Sequence, residues 1–134
     1  MTSIPASAHA LALWVGLHLI LMLVLAVLVT RQRRKHGIGI GDGGVATLEQ
    51  AVRAFGNASE YVPAGLVALT ALAFAGAGPM ILHPLGLILF AGRILHAIGL
   101  SRSGGVSWAR TVGVLATWIA YVAAAAALLF FAIP

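Results

Sequence analysis

The chain has 134 residues, of which 61% are hydrophobic and only 8% are charged, and its formal net charge is +5. This composition excludes a soluble domain, which would need far more polar surface, and it leaves room for one domain with four membrane spans of about 20 residues each. The absence of cysteine excludes disulfides, thiolate metal sites and catalysis by a protein thiol. Because the basic residues flank apolar segments, the positive charge indicates membrane topology and attraction to anionic lipid headgroups, and no nucleic-acid partner is expected.

The first apolar block predicts a membrane-spanning helix over about residues 10–30. The block has the length of a full span and no basic segment precedes it, which indicates a retained helix and not a cleaved signal peptide. Residues 31–35 (RQRRK) follow directly and mark the end of the span. Trp14 is an aromatic residue of this block that we expect at the membrane interface.

A second helix is predicted over residues 46–76, with its membrane part at about 60–76. Pro63 is expected to kink this helix without ending it. The third and fourth spans are predicted over 80–100 and 110–133. The sequence therefore predicts an all-α integral membrane protein in which a single four-transmembrane-helix bundle takes up the whole chain.

The Lys and Arg residues all lie at one end of the apolar blocks. The first and third loops carry basic residues, whereas the second loop and the C-terminal end carry none. The positive-inside rule then places the basic loops in the cytoplasm and both termini on the other side of the membrane. No internal repeat is evident, which does not favour a transporter built from inverted repeats.

Four polar residues of the second helix share one face. Glu49, Arg53, Asn57 and Glu60 are spaced by four, four and three residues, which places them within about 40° of Arg53 around the helix axis. Tyr61 lies beside this polar stripe. Arginine outnumbers acid in the deeper layer, and the excess positive charge indicates an anionic ligand with carboxylates. The alternative is that Arg53 and Glu60 belong to an ion network that packs helices together.

The third and fourth spans bring further polar residues to the same depth. Arg93 and His96 form an i,i+3 pair on one face, and Arg110 opens the fourth span beside Thr111. Charged groups within a membrane are costly, about 2.5–3.5 kcal/mol at mid-bilayer, and are functional by default. His96 fits a hydrogen-bonded packing residue as well as it fits a ligand-binding one. No spacing brings three metal ligands together, and no metal site is predicted.

These motifs resemble a known family. Residues 53–63 (RAFGNASEYVP) resemble the second-helix signature of the MAPEG family, the membrane-associated proteins in eicosanoid and glutathione metabolism. Residues 92–99 (GRILHAIG) are similar to the family's third-helix pattern, Arg110-Thr111 to the start of its fourth helix, and Arg31 to the basic end of its first helix. The resemblance covers nearly the whole chain and identifies it as a short bacterial-type member, expected in the bacterial inner membrane.

The resemblance implies a homotrimer of four-helix bundles that binds glutathione, as the thiol co-substrate, between neighbouring subunits near the cytoplasmic face. It implies that the tripeptide is bound by Arg53, Asn57, Glu60, Tyr61, Arg93 and His96, with Arg31 of a neighbouring first helix closing the site. Arg53 and Arg93 would bind carboxylates and Glu60 the ammonium group. Arg110 would lie by the sulfur and stabilise the thiolate, which makes it the expected catalytic residue.

The implied function is a membrane-embedded glutathione-dependent transferase that attacks lipophilic small molecules with a thiolate, with peroxidase activity as an accompanying reaction. A free thiol of this type has a pKa of about 8.5, and a nearby guanidinium lowers that pKa and generates the nucleophile. One alternative is a non-catalytic glutathione- or lipid-binding scaffold with the same fold, since a fold does not prove a reaction. A small membrane transporter is the other alternative, and eicosanoid substrates are not expected.

Overall fold

The computed structural model describes residues 4–133, which form the four helices α1 (Ala6–His36), α2 (Ala46–Phe74), α3 (Pro79–Arg102) and α4 (Trp108–Phe131). α1 extends past the predicted span 10–30 at both ends. The basic run 31–35 continues the helix because Arg, Gln and Lys are good helix formers and because cations near a helix C-terminus interact favourably with its dipole. α1 ends at Gly37, whose φ of 66° is a conformation that glycine adopts readily.

Three of the four helices, α1, α3 and α4, are long and apolar enough to cross a membrane by length and composition. α2 has a more polar first half and continues through Pro63 to Phe74. The chain is therefore an all-α integral membrane protein that crosses the membrane several times. The predicted four-helix membrane bundle is confirmed, with α2 as its partly polar member.

Two hydrophobic clusters show that the helices run alternately up and down. One cluster joins the start of α1, the end of α2, the start of α3 and the end of α4, and its buried members include Ala10, Leu72, Leu82 and Ala124. The other joins the end of α1, the start of α2 and the end of α3, and its buried members include Leu25, Ala54 and Leu100. The α1–α2 and α3–α4 loops therefore lie at the same end of the bundle, which we call the basic end.

α2 and α3 form the centre of the bundle. Each packs against α1 on one side and α4 on the other, and within residues 4–133 α1 does not contact α4. Trp14 of α1 is only 7% exposed, and its indole lies against Gly86 of α3, where a Cβ would overlap the ring. The prediction of an interfacial Trp14 is wrong because Gly86 leaves a space in α3 that the indole fills.

α3 and α4 pack closely against each other. Gly92 and Gly113 face each other between the two helices, and a Cβ on Gly92 would lie 2.9 Å from the carbonyl oxygen of Gly113. Small residues allow two helices to approach closely inside a membrane. The approach brings the backbone of α4 within reach of polar side chains on α3.

Candidate functional site

A cleft opens at the basic end of the bundle, between the start of α2 and the α3–α4 loop. It has a volume of about 240 Å³ and is lined by Ala46, Glu49, Gln50, Arg53, Leu100, Ser103, Gly104 and Arg110. We call it the arginine cleft. Two guanidinium groups, a carboxylate, an amide and a hydroxyl therefore converge on one small cavity.

The α2 wall of the arginine cleft carries Glu49 and Arg53. Their side chains are exposed and lie one helical turn apart, so they project from the same face of α2. Glu49 belongs to the first turn of α2, where the helix dipole favours a negative charge. Arg53 presents its guanidinium to the cleft, where it can bind a ligand carboxylate.

The opposite wall positions Arg110. The hydroxyl of Ser107 caps α4 by accepting a hydrogen bond of 3.4 Å from the backbone N–H of Arg110. Nη1 of Arg110 donates to the carbonyl oxygen of Gly105 at 2.7 Å, which ties the guanidinium to the α3–α4 loop. Gly99 of α3 leaves room for this side chain, because a Cβ there would lie 2.6 Å from Cγ of Arg110. A guanidinium has five N–H groups, and Arg110 can bind a ligand anion while it keeps this tether.

Arg93 lies inside the bundle and not in the cleft. Its side chain is 1% exposed. Its Nε donates to Oγ1 of Thr117 at 2.9 Å, its Nη1 to Oδ1 of Asn57 at 2.7 Å and its Nη2 to the carbonyl oxygen of Gly113 at 3.3 Å. The guanidinium carbon also lies 4.9 Å from the centre of the Tyr61 ring, which is a cation–π contact. Arg93 therefore joins α2, α3 and α4 through uncharged partners.

A pair of tyrosines completes the Arg93 site. The hydroxyl of Tyr121 on α4 donates a hydrogen bond to the backbone carbonyl of Tyr61 on α2, and the two rings lie 6.1 Å apart. This contact connects the two helices beside the buried guanidinium. In the single subunit Arg93 is closed off from the arginine cleft, and its binding of a ligand carboxylate stays a prediction.

Asn57 was predicted to lie on one polar stripe with Arg53, and Tyr61 beside that stripe, and both contact Arg93. They lie one and two helical turns beyond Arg53 along α2. His96 is 8% exposed, and its backbone lies against Gly113 of α4. His96 therefore lies in the interior of the bundle and the half-buried Asn57 and Tyr61 lie beside Arg93, and none of the three lines the arginine cleft within residues 4–133.

Arg31 and Glu60 line no part of the arginine cleft within residues 4–133. Arg31 is exposed on α1, on the side of α2 and α3 that lies away from α4. Glu60 is exposed two turns beyond Arg53 on the same face of α2. Both side chains remain open to solvent or to a neighbouring molecule.

Several residues of these two sites were not predicted from the sequence. Gln50 lies one turn before Arg53 in the polar half of α2, and that spacing is a signal that could have identified it. Thr117 is a polar residue in an apolar helix, one turn after Gly113, and this too is visible in the sequence. Ser103 carries no such signal, because its place in the cleft depends on how the α3–α4 loop folds.

The arginine cleft can bind a small molecule with charges of both signs. Its guanidinium groups suit carboxylates, Glu49 suits an ammonium group, and an ionisable group beside Arg110 would be stabilised as an anion. Within residues 4–133 no group of three His, Asp or Glu side chains is placed to bind a metal ion. The volume of about 240 Å³ is below the roughly 300–1,000 Å³ of common small-molecule sites, and the cleft is open on one side.

Comparison with known proteins gives one family and one group of relatives. The sequence model of the MAPEG family matches residues 11–130. The inner membrane protein YecN of Escherichia coli K12 is 38% identical over 79 residues, a match that covers 59% of this chain and 59% of that protein. YecN of Escherichia coli O6:H1 gives the same values, and the chain thus matches well under two thirds of these relatives' length. No solved structure is significantly similar to the chain.

Proposed function

Because this chain belongs to the MAPEG family, we propose that it is a membrane-embedded, glutathione-dependent transferase that conjugates lipophilic electrophiles. The observation that carries the proposal is the arginine cleft, with Arg53 and Arg110 on opposite walls. Glutathione presents carboxylates, an ammonium group and a thiol. The guanidinium groups and Glu49 of the cleft complement those charges.

Each wall of the cleft has a separate role in this proposal. Arg53 binds a carboxylate of glutathione from α2, and Glu49 beside it binds the ammonium group. Gln50 and Ser103 offer an amide and a hydroxyl to the peptide groups of the ligand. Glu60, which the family resemblance pairs with the ammonium group, lies two turns deeper and would meet the ligand only if the tripeptide extends along α2.

Arg110 acts on the thiol. At neutral pH only a few per cent of a free thiol is ionised, and a guanidinium beside the sulfur favours the thiolate and lowers the pKa of the thiol. The thiolate sulfur then forms a bond with the electrophilic carbon, the leaving group departs with its electron pair, and the thiol proton passes to solvent. A lipophilic electrophile reaches this end of the bundle through the bilayer.

Assembly of the chain into a homotrimer completes the cleft in this proposal. The cleft is small and open on one side, and Arg31 is exposed on α1, where it can reach the cleft of a neighbouring subunit. The groove between α2 and α4 is almost entirely apolar, and it is lined by Ala64, Ala68, Tyr121, Val122, Ala125 and Leu128. Small residues of this kind allow helices of two subunits to pack closely. The basic end faces the cytoplasm and both termini face away from it.

Glutathione binding without turnover is a second candidate function. Nη1 of Arg110 already donates to the carbonyl oxygen of Gly105, which leaves fewer N–H groups to stabilise a thiolate and is the observation that favours it. The same cleft would serve this function. The two candidates differ in whether the bound thiol ionises, which ultraviolet absorbance of the thiolate measures directly.

The test is conjugation of glutathione to chlorodinitrobenzene by the purified protein, by Arg110→Ala and by the control Arg34→Ala. Arg34 is exposed at the same end of the bundle, outside the cleft. We expect the wild type and the control to be active and Arg110→Ala to lose about 100-fold in kcat, the effect of removing one preorganised electrostatic contact. Wild-type binding with neither thiolate absorbance nor product would establish the second candidate instead.

A further inference from the structure

Two grooves on the outer surface of α3 meet at Arg102. The first lies between α1 and α3, has a volume of about 250 Å³ and is lined mainly by aliphatic side chains such as Val24 and Leu28. The second lies between α3 and the start of α4, has a volume of about 300 Å³ and includes Trp108. Ile98 and Arg102 line both grooves. A single cation, Arg102, therefore lies at the end of two mainly apolar grooves that share Ile98.

Arg102 is free to bind a ligand. It is the last residue of α3 and its side chain is exposed. Arg33 and Arg110 donate hydrogen bonds to loop carbonyls, whereas Arg102 has no hydrogen-bond partner within residues 4–133. Trp108 beside it is 72% exposed, and exposed Trp rings are typical of the membrane–water interface. Arg102 therefore lies at the depth where phospholipid headgroups begin.

We propose that an anionic glycerophospholipid binds at this position, with its phosphate against Arg102 and one acyl chain in each groove. Arginine suits phosphate because its planar guanidinium can donate two parallel hydrogen bonds. The hydroxyl of Ser107 lines the second groove and adds a donor near the phosphate. The one phosphate and two acyl chains of such a lipid match the one cation and two grooves of this site.

The grooves follow the direction that the acyl chains take. The first groove extends along α3 from Arg102 to Ile94, a rise of about 12 Å at 1.5 Å per residue. Since Arg102 lies at the membrane boundary, this distance leads from the headgroups into the hydrocarbon core. Apolar lining at that depth and a cation above it match the two parts of a phospholipid.

A second copy of the chain fits this surface less well. Each copy has eight Lys and Arg residues and only three acidic residues, and its basic loops lie at the same membrane boundary as Arg102. A neighbouring subunit would therefore bring mainly like charge to Arg102, which costs energy where water is partly excluded. An anionic lipid brings the opposite charge and its own apolar chains.

The test is native mass spectrometry of the purified full-length protein with equal amounts of phosphatidylglycerol and phosphatidylethanolamine. Arg102→Gln removes the proposed phosphate contact, and Arg34→Gln removes one exposed cation at the same end that lines neither groove. We expect the wild type and Arg34→Gln to bind phosphatidylglycerol preferentially. We expect Arg102→Gln to lose that preference by at least about tenfold, the factor that corresponds to about 1.5 kcal/mol for a hydrogen bond between charged groups.

A second pair of variants tests whether the first groove, between α1 and α3, binds an acyl chain. Val24→Trp fills the groove between α1 and α3, whereas Leu23→Trp adds the same ring at an exposed neighbouring position outside it. We expect Val24→Trp alone to reduce the phosphatidylglycerol adducts. Neither Arg102 nor Val24 lines the arginine cleft, and failure of this proposal leaves the proposed transferase function untouched.

Three results would overturn the proposal. Equal losses in Arg102→Gln and Arg34→Gln would show a general attraction of the basic end for anionic lipids. Equal effects of the two Trp substitutions would show that the groove binds no chain. A changed subunit number in Arg102→Gln, with its lipid adducts retained, would show that the surface is a contact between copies of the protein.

Discussion

The arginine cleft and the Arg93 site lie near the same end of the bundle, and they use the same side chain in opposite ways. Arg53 and Arg110 face an open cavity, and Arg110 has one intramolecular tether there. Arg93 is buried, and all three of its guanidinium nitrogens donate to the protein itself. Because a buried charge must be hydrogen-bonded to be tolerated, the contacts of Arg93 support the fold within one subunit, whereas the exposed Arg53 and the half-buried Arg110 are open to a ligand.

The largest effect is expected from Arg93→Ala. The substitution leaves Oδ1 of Asn57 without its donor inside the bundle and opens a cavity between three helices. We expect a loss of about 3 kcal/mol in the free energy of unfolding, measured by denaturant titration in detergent micelles. Arg34→Ala, at an exposed position, should change this energy by less than about 0.5 kcal/mol. A fully stable Arg93→Ala that no longer binds glutathione would place Arg93 in the ligand site and remove the contrast between the two regions.

The next effect concerns Arg110 and the pH dependence of conjugation. The guanidinium stabilises the thiolate, and its removal should raise the pKa of bound glutathione towards about 8.5, the ordinary value for a thiol. The rate of Arg110→Ala should therefore keep rising up to that pH, whereas the wild-type rate should level off at a lower pH. Measuring kcat of both proteins across pH tests this prediction. As a control, Arg110→Ala should keep the free energy of unfolding of the wild type. If kcat of the two proteins rose with pH about the same midpoint, thiolate stabilisation by Arg110 would be ruled out.

A smaller effect on stability is expected from Thr117→Val. The hydroxyl of Thr117 accepts from Nε of Arg93 and donates to the carbonyl oxygen of Gly113, and valine has nearly the same shape without the oxygen. We expect a loss of about 1 kcal/mol in the free energy of unfolding, with glutathione affinity within twofold of the wild type. A loss of affinity greater than the loss of stability would show that the buried site and the cleft are coupled.

An effect of similar size, on binding and not on stability, is expected from Gln50→Ala in the cleft. Gln50 lines the arginine cleft and is half-buried, and its amide offers one neutral hydrogen bond to a ligand. We expect glutathione affinity to fall by about fivefold, which corresponds to about 1 kcal/mol, and stability to stay the same. Calorimetric titration measures the affinity, and a loss of stability without a loss of affinity would assign Gln50 to the fold.

The architecture could be predicted from the sequence because each helix contains a long apolar stretch and the loops between the helices are rich in glycine. The C-terminal end of α1 was harder to predict. Residues 31–35 are a membrane stop signal, and the same residues are good helix formers, so α1 continues past the predicted span until Gly37 ends it. The hydrophobic pattern shows where the membrane boundary lies, but it does not show where the helix ends.

The site was only partly predictable. Helical spacing correctly placed Arg53, Asn57 and Glu60 on one face of α2, but spacing does not reveal which helix each side chain meets. Asn57 accepts a hydrogen bond from Arg93 of α3, and Glu60 remains outside the cleft that Glu49 lines. Those outcomes depend on contacts between helices that are distant in the sequence.

The most direct test of the central claim is calorimetric titration of glutathione into the detergent-purified protein, into Arg53→Ala and into Arg34→Ala. The proposal that the arginine cleft binds glutathione predicts binding by the wild type and by Arg34→Ala. It also predicts at least about tenfold weaker binding by Arg53→Ala, because a hydrogen bond between charged groups contributes about 1.5–3 kcal/mol. No binding by the wild type, or equal binding by all three proteins, would contradict it.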